Sequence, residues 1–231
     1  MAAPPIITDL GSLRFDPHGA QLSVGVLEPF VDHLLATLDC LPEQRAGSRI
    51  NGLAGLKPFL VAGGPIGSIA AGVLGLHSRA VRVILFDKSA DVNWGLGWHQ
   101  DRTICVKERL DVEGFGPWTN KGGMQHVSPP FDLLSRMVTL RVHLDDVPIT
   151  NAPLLIAPGS HKFGRVAEPD LDRVVRLCGT AACTASAGDV WLYATPILHA
   201  SEAASEPARR RVLQVDFSAE DLPDGLEWLG C

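Results

Sequence analysis

Three side chains of the kinds that bind divalent metal ions lie in two segments of the sequence, His99 and Asp101 in one and His199 in the other. In an extended segment, residues two apart point to the same side, so His99 and Asp101 present an imidazole and a carboxylate together. His199 follows a predicted strand and is the candidate third ligand. Two imidazoles and one carboxylate leave open positions on an octahedral metal, an arrangement that suits non-haem Fe(II) oxygenases. Each motif alone is weak, because a single histidine is more often an ordinary core or surface residue.

Three consecutive arginines, Arg209 to Arg211, follow His199 and enter a predicted strand. A guanidinium group binds a carboxylate in a fixed bidentate geometry, which suits the distal end of a dicarboxylate cosubstrate such as 2-oxoglutarate. The alternative is a basic turn that is paired with Glu202 and Glu206 and partly solvated. The sequence therefore combines a candidate metal site with a candidate carboxylate site.

The composition is that of a folded, acidic chain. Of its 231 residues, 46% are hydrophobic and 20% charged, with a formal net charge of −6, so a substantial core can form and global disorder is excluded. The acidic balance argues against nucleic acid as a partner. Five cysteines without a C-x-x-C motif fit neither a disulfide framework nor a zinc site, which favours reduced thiols and a cytoplasmic location. We expect no signal peptide, because the first ten residues lack a basic region, and no membrane span, because glycine and proline interrupt the longest uncharged stretch.

The elements that must position these side chains are mostly strands. Before residue 80 the pattern favours helices, one starting at Glu28-Pro29 and a shorter one after Pro65. From Val81 onward, short β-branched and aromatic segments between turn signals predict strands, and a short surface helix is predicted at 168–177. The predicted strands span 81–87, 103–107, 137–145, 154–157, 189–193 and 211–217.

Several short strands without long helices between them predict a mainly β fold with flanking helices, a jelly roll of the cupin-like type. No repeat or charged linker divides the sequence, so we expect a single domain over residues 1–231. Its parts are a helical N-terminal support (1–80), the jelly-roll core (81–217) and a C-terminal tail (218–231).

Six short motifs in this sequence occur in a characteristic order. They are Trp98-His-Gln-Asp101, Leu144-Asp-Asp146, Asn151-Ala-Pro-Leu154, Pro158-Gly-Ser-His161, Gly188-Asp189, and His199-Ala-Ser201 followed by Arg210. Their order and spacing resemble the phytanoyl-CoA dioxygenase family over roughly residues 22–217. This resemblance implies an Fe(II)- and 2-oxoglutarate-dependent oxygenase on a double-stranded β-helix, which is a jelly roll.

The resemblance also implies roles for single residues. His99, Asp101 and His199 would be the iron ligands.

For the cosubstrate, the resemblance implies that Arg210, eleven residues after His199, pairs with the distal carboxylate of 2-oxoglutarate. Ser201 would add a hydrogen bond to that carboxylate, and Arg211 is the alternative if the register shifts by one residue. Gln100 lies in the motif where the family also contacts the cosubstrate.

The chain departs from the family pattern at two places. Ala152 stands where the family usually has glycine, which changes a turn and removes no ligand. Arg141 stands where the family often has an apolar aromatic residue, and with His143 it alternates onto the inward face of a predicted strand. Charged residues are rarely buried without a partner. Unless the register differs, we therefore expect Arg141 to bind the cosubstrate or an acidic substrate.

A glycine-rich segment, 114–126, lies between the two halves of the predicted core and is predicted to be a long loop. Long loops in compact domains tend to be functional lids or disordered. Trp118, Lys121 and His126 are therefore candidates for the substrate pocket, and the equal alternative is an ordered surface loop anchored by Trp118. Lys121, His126 and Arg141 are basic residues near the expected mouth of this pocket, and they indicate a small, acidic substrate.

The sequence thus predicts a dioxygenase that uses Fe(II), 2-oxoglutarate and O2 to hydroxylate a small molecule at a C–H bond, with release of succinate and CO2. A cupin-like isomerase or hydrolase with Zn²⁺ or Mn²⁺ would use the same three ligands but leave Arg210 unexplained. The third alternative is a non-catalytic jelly-roll binding protein, in which loss of His99 or His199 leaves ligand binding intact.

Overall fold

The structure is a computed structural model that describes residues 5–41, 47–91 and 93–231. The strands in these ranges are β1 (Ile6–Ile7), β2 (Ala20–Ser23), β3 (Ser48–Ile50), β4 (Arg79–Lys88), β5 (Leu96–His99), β6 (Ile104–Val106), β7 (Trp118–Lys121), β8 (Met124–Val127), β9 (Val138–His143), β10 (Leu154–Ile156), β11 (Thr180–Cys183), β12 (Val190–Ala194), β13 (His199–Ser201) and β14 (Arg210–Ser218). The α-helices are α1 (Phe15–His18), α2 (Val31–Leu38), α3 (Lys57–Leu60), α4 (Gly67–Leu74), α5 (Phe131–Ser135) and α6 (Leu171–Cys178).

The strands form two large sheets and one small one. The six-stranded sheet has the order β2-β12-β9-β14-β4-β3, and the five-stranded sheet has the order β1-β11-β10-β13-β5. A three-stranded sheet, β6-β8-β7, lies beside them. Strands β9, β14 and β4 pair antiparallel at the centre of the six-stranded sheet, where β14 and β4 contribute the longest ladder.

The six-stranded sheet is covered on both faces, and its two faces differ in chemistry. On β4, Val83 and Leu85 face an apolar core that includes buried residues of α2, α3 and α4. The alternate residues Arg82 and Phe86 face a cavity on the other side. The same alternation on β9 and β14 follows from the two-residue period of a strand. Burial of each large apolar side chain on the outer face stabilises the fold by about 1.5–3 kcal/mol. This packing fixes the strands, and the strands in turn position the polar side chains of the inner face.

Each of the six predicted strands is confirmed by an observed strand, within two residues at each end. The three predicted helices are also confirmed as α2, α4 and α6, the first and last of them preceded by a short 3-10 turn. The N-terminal region is less helical than predicted, because β1, β2 and β3 from before residue 80 join the two large sheets.

The prediction of one long loop over 114–126 is wrong in its second half, where β7 and β8 form a hairpin. Gly122 and Gly123, at its tip, both have positive φ values, +60° and +80°. This conformation matches the right-handed twist of two antiparallel strands and is readily available to glycine. The glycine pair therefore closes a tight turn instead of marking an irregular segment.

The six helices are short. Within the described residues, none of them combines the length and the apolar character that a membrane crossing requires.

Candidate active site

His99 and His199 face each other across the antiparallel pair β5–β13. They are direct partners in the register, and their ring centroids lie 4.2 Å apart. The Nδ1 of His99 lies 2.8 Å from the carbonyl oxygen of Gly97, and the Nδ1 of His199 lies 3.0 Å from that of Ile197. Because a carbonyl oxygen can only accept, each Nδ1 carries the hydrogen and donates the hydrogen bond, which leaves the Nε2 of both rings available for a metal ion. Burial lowers the pKa of His199 to about 4, so this imidazole is in the neutral form that ligates metals.

The third predicted ligand, Asp101, follows β5 and lines the same cavity as the two histidines. Its Oδ2 accepts a hydrogen bond from Nη2 of Arg82 at 3.1 Å. Burial alone would raise the pKa of this carboxyl, but Arg82 and the two histidines outweigh burial and hold the pKa below its usual value. Asp101 is therefore an ionised oxygen donor.

Arg82 is itself fixed from behind, by a residue of β14. Its Nε donates to Oδ2 of the buried Asp216 at 2.5 Å. The other oxygen of Asp216 accepts a hydrogen bond from Thr139 at 3.0 Å. The carboxylate of Asp101 is thus oriented by a chain of contacts that ends in the core of the six-stranded sheet.

The three predicted ligands share one cavity wall, and the donor set of two imidazoles and one carboxylate fits Fe(II). In the described ranges, no three His, Cys, Asp or Glu side chains already converge as a coordination sphere. The two imidazoles are adjacent, and the carboxylate of Asp101 is engaged by Arg82.

A second group of cations lies on the inner face of β9 and β14. Arg210 and Arg141 are both buried. Arg210 donates to the carbonyl oxygen of Ala152, and Arg141 donates to Oε1 of Gln214 at 3.0 Å and lies over the ring of Phe86. Neither guanidinium has a carboxylate partner among the described residues, and the buried Nε of Arg141 has no hydrogen-bond partner there. Two buried arginines without a counter-ion fit one carboxylate of a dicarboxylate such as 2-oxoglutarate.

Burial, and then the charge of Arg141, lower the pKa of Arg210 to about 10, so Arg210 is cationic at neutral pH. Arg211, the alternative from the sequence, points to the other face of β14. It forms a bidentate pair with Asp145, at 2.9 Å and 2.6 Å, and does not line the cavity that contains the two histidines. The structure therefore places Arg210, and not Arg211, at the candidate cosubstrate site.

The other two predicted cosubstrate contacts, Ser201 and Gln100, differ in their surroundings. Ser201 lines the cavity at the end of β13. Gln100 also borders it, but its side chain is engaged by backbone groups. Its Nε2 donates to the carbonyl oxygens of Gly164 and Pro196, and its Oε1 accepts from the N–H of Val166. These contacts favour a role in holding the segment of the metal ligands over the cosubstrate contact that the resemblance implies.

The three substrate candidates are not brought together. Lys121 lines the cavity. Trp118 packs against a separate apolar cluster under the three-stranded sheet, with Arg109 over its ring. His126 is fully buried in β8, where its Nδ1 lies 3.0 Å from the carbonyl oxygen of Met124. Only Lys121 of the three lies where a substrate in this cavity would be.

Four basic residues of the cavity lining were missed, and two of them, Arg82 and Lys88, lie on β4; the other two are Arg49 and Arg102. Lys88 pairs with Arg210 in the register, and its Nζ donates to the carbonyl oxygen of Trp94 at 3.0 Å. Burial, and then the charges of Arg210 and Arg141, lower the pKa of Lys88 to about 8. The sequence did contain a signal that these two side chains lie on the same side of the sheet. Positions 82 and 88 are an even number of residues apart in one strand and so share a face.

The cavity has a volume of about 400 Å³ and lies between the two large sheets. This volume is toward the small end of the roughly 300–1,000 Å³ that is typical of ligand pockets. Its described lining carries one carboxylate, Asp101, and seven lysine or arginine side chains. The residues are Arg49, Arg82, Lys88, Arg102, Lys121, Arg141 and Arg210.

Comparison with known proteins gives one family match and several similar structures. The family model described as phytanoyl-CoA dioxygenase (PhyH) matches residues 66–212, more than half of the chain. No curated protein sequence matches.

The similar solved structures share the fold at low sequence identity. Apo EctD from S. alaskensis is 18% identical with a TM-score of 0.63, over 92% of this chain and 77% of that one. HygX from Streptomyces hygroscopicus with nickel and 2-oxoglutarate bound is 16% identical with a TM-score of 0.59, over 88% and 84%. SnoN, a non-heme alpha ketoglutarate dependent epimerase from nogalamycin biosynthesis, is 14% identical with a TM-score of 0.59, over 92% and 88%. The predicted jelly roll with flanking helices is confirmed.

Proposed function

Because the chain belongs to the phytanoyl-CoA dioxygenase family, we propose that it is a dioxygenase that hydroxylates a small, acidic molecule at a C–H bond, with release of succinate and CO2. Fe(II) and 2-oxoglutarate are the cofactor and cosubstrate of this family, which confirms both predictions. We propose that residues 1–231 form one catalytic domain. The hydroxylation, the acidic substrate and the residue roles are the parts of this proposal that experiment must test.

One observation carries the proposal, namely that a single cavity joins the candidate metal ligands to two buried arginines without a carboxylate partner among the described residues. A metal-dependent isomerase or hydrolase has no need of the arginine pair. An oxygenase of this family needs both parts, because the cosubstrate must contact the metal at one end and be anchored at the other.

Each residue has a task that follows from its surroundings. His99 and His199 would hold the metal through Nε2, since their Nδ1 atoms face backbone carbonyls. Asp101, ionised beside Arg82, would supply the third donor. When bound, Fe(II) would activate the oxidant O2, with 2-oxoglutarate as the two-electron reductant that leaves as succinate and CO2.

Arg210 and Arg141, whose side chains are both buried, would bind the distal carboxylate of 2-oxoglutarate. Charge-assisted hydrogen bonds in such a setting are roughly twice as strong as those between neutral groups. Arg141 lies on β9 and Arg210 begins β14, and these two strands pair at the centre of the six-stranded sheet.

The substrate is expected to be small because the cavity must hold it together with 2-oxoglutarate. The similar structures bind small molecules, since HygX was solved with hygromycin B and SnoN with nogalamycin RO. For this chain, the excess of basic side chains in the cavity lining supports an acidic compound.

The test is to incubate the protein with Fe(II), 2-oxoglutarate and O2 and to measure succinate, first alone and then with a panel of small acids. We expect slow succinate formation that one class of acids accelerates, together with a product 16 Da heavier than the substrate. The His99→Ala variant should form no succinate above background. An isomerised product of unchanged mass would overturn hydroxylation, and no 2-oxoglutarate consumption under any condition would overturn the whole proposal.

A further inference from the structure

Arg49 is a cation in the cavity that the proposed reaction does not use. It lies on β3, the edge strand of the six-stranded sheet, and its side chain lines the cavity. Among the described residues it has no carboxylate partner, and its buried Nε has no hydrogen-bond partner. A buried guanidinium N–H without a partner is costly. This position therefore calls for an acceptor that a ligand would bring.

The sheet register separates Arg49 from the candidate cosubstrate site. Arg49 pairs with Ile84, Ile84 with Gln214, and Gln214 with Arg141. The backbones of Arg49 and Arg141 thus lie on one row, three strand spacings apart, which is about 14 Å at about 4.8 Å per strand. In the proposed function, one end of 2-oxoglutarate is anchored at Arg210 and Arg141 and the other end is directed to the metal. Neither carboxylate of the cosubstrate is then left for Arg49.

A second free cation reaches the same end of the cavity from another element. Lys121 ends β7, lines the cavity and has no acidic partner among the described residues. The next residue, Gly122, packs close to Arg49, since a Cβ placed on Gly122 would lie 4.0 Å from Cδ of Arg49. The hairpin tip thus lies against the sheet edge, and each contributes one cation to the cavity lining.

This end of the cavity is also the end where a metal ligand lies. Arg82, two residues along β4 from the partner of Arg49, contacts Asp101. Arg82 is already neutralised by Asp101 and Asp216. An anion held by Arg49 would therefore lie beside the metal ligands without competing for Arg82.

We propose that Arg49 and Lys121 bind an anionic group of the substrate, so that the substrate is a small carboxylic acid or phosphate ester whose reacting carbon lies beside the metal. This inference rests on the proposed function and names the substrate class for that site. Arg49 supplies a planar fork that matches a carboxylate or phosphate, and Lys121 supplies a point charge.

The test uses the protein loaded with Ni(II), which replaces the redox-active iron, and with saturating 2-oxoglutarate, which occupies the site at Arg210. Calorimetric titration then measures the binding of two probes, acetate and inorganic phosphate, to the wild type and four variants. We expect Arg49→Gln to weaken probe binding at least tenfold and Lys121→Gln to weaken it several-fold. Arg49→Lys, which keeps the charge, should lose less than Arg49→Gln. Lys107→Gln, which removes a surface lysine paired with Glu227, should bind both probes like the wild type.

The result has distinct meanings for the two proposals. If 2-oxoglutarate binds normally, the anion site is overturned by either of two results. The wild type binds neither probe, or Arg49→Gln binds the probes as tightly as the wild type. A wild type that fails to bind 2-oxoglutarate in the presence of Ni(II) overturns the proposed function itself. If the anion site is present, the probe that binds more tightly distinguishes a carboxylate from a phosphate substrate.

Discussion

Arg82 shows how a residue outside the ligand set can control a metal site. It holds the carboxylate of Asp101 on one side and that of Asp216 on the other. Partners of this kind orient a ligand and preserve its charge, and their loss typically costs 10–100-fold in metal affinity. We therefore treat Arg82 as a positioning residue for Asp101.

We predict that Arg82→Met lowers the affinity for Ni(II) by about tenfold or more. Without the guanidinium, the pKa of Asp101 rises, so protons compete with the metal up to a higher pH than in the wild type. Calorimetric titration with Ni(II) between pH 6 and 8 measures both effects. Arg79→Met, which removes a surface arginine paired with Asp221, is the control. Equal affinity and equal pH dependence in Arg82→Met and wild type would show that Arg82 does not position the ligand.

His143 is a buried titratable residue that makes the stability of the fold depend on pH. It is 2% exposed on β9, and neither ring nitrogen has a hydrogen-bond partner among the described residues. Burial, and then the charges of Arg141 and Arg210, lower the pKa of His143 to about 3. Since the unfolded chain binds this proton near pH 6.5 and the folded one near pH 3, stability is lost as the pH falls through that window.

We predict that His143→Leu flattens the acid side of the stability profile. At pH 4, the His143 proton alone should cost the wild type about 3 kcal/mol relative to pH 7, and the variant should not show this cost. Urea unfolding at pH 7 and pH 4 measures the difference. If wild type and variant lose the same free energy of unfolding between these pH values, His143 is not the responsible group.

At the scale of elements, Gln100 connects the segment of the metal ligands to its neighbours. Three hydrogen bonds join its side chain to the backbone at Gly164, Val166 and Pro196. Each such bond contributes about 0.5–1.5 kcal/mol when intact, and more is lost when buried partners are left unsatisfied.

We predict that Gln100→Leu lowers the free energy of unfolding by about 2–4 kcal/mol and weakens metal binding, with little effect on how 2-oxoglutarate is anchored. Urea unfolding and Ni(II) titration measure the first two quantities, and 2-oxoglutarate titration of the Ni(II)-loaded variant measures the third. Unchanged stability together with lost 2-oxoglutarate binding would instead support the direct cosubstrate contact that the resemblance implies.

The strands also show what the sequence could and could not predict. From Val81 onward, the β-branched composition of each segment is sufficient to predict a strand there. The observed strands β4, β9, β12 and β14 agree with these predictions. The short strands β1, β2 and β13 carry little pattern of their own, because two to four residues are too few for a period to emerge. The β7–β8 hairpin had a usable signal, the Gly122-Gly123 pair between two short runs.

At the scale of the whole molecule, the order of six motifs predicted the jelly roll, which is confirmed. It did not predict the distances between motifs, which depend on strand register. Arg49 illustrates this limit, since its place on the cavity row follows from three successive pairings across the sheet. Its sequence neighbourhood, Ser48-Arg49-Ile50, contains no chemical motif.

The arrangement of the whole molecule places an apolar core outside the six-stranded sheet and a charged cavity inside it. Stability and function therefore depend on opposite faces of the same strands. Arg210 and Arg211 illustrate the division, because the first lines the cavity and the second pairs with Asp145 on the other face. Neighbouring residues of one strand thus provide a matched pair for testing the central claim.

The central claim is that Arg210 anchors 2-oxoglutarate in the cavity that holds the metal ligands. The most direct test is an anaerobic visible difference spectrum of the protein with Fe(II), before and after 2-oxoglutarate is added, for the wild type, Arg210→Ala and Arg211→Ala. We expect a charge-transfer band in the wild type that requires both additions. Arg211→Ala should retain the band, and Arg210→Ala should need at least tenfold more 2-oxoglutarate to reach it, with Fe(II) binding nearly unchanged. No band in the wild type despite bound iron, or equal loss in both variants, would contradict the account.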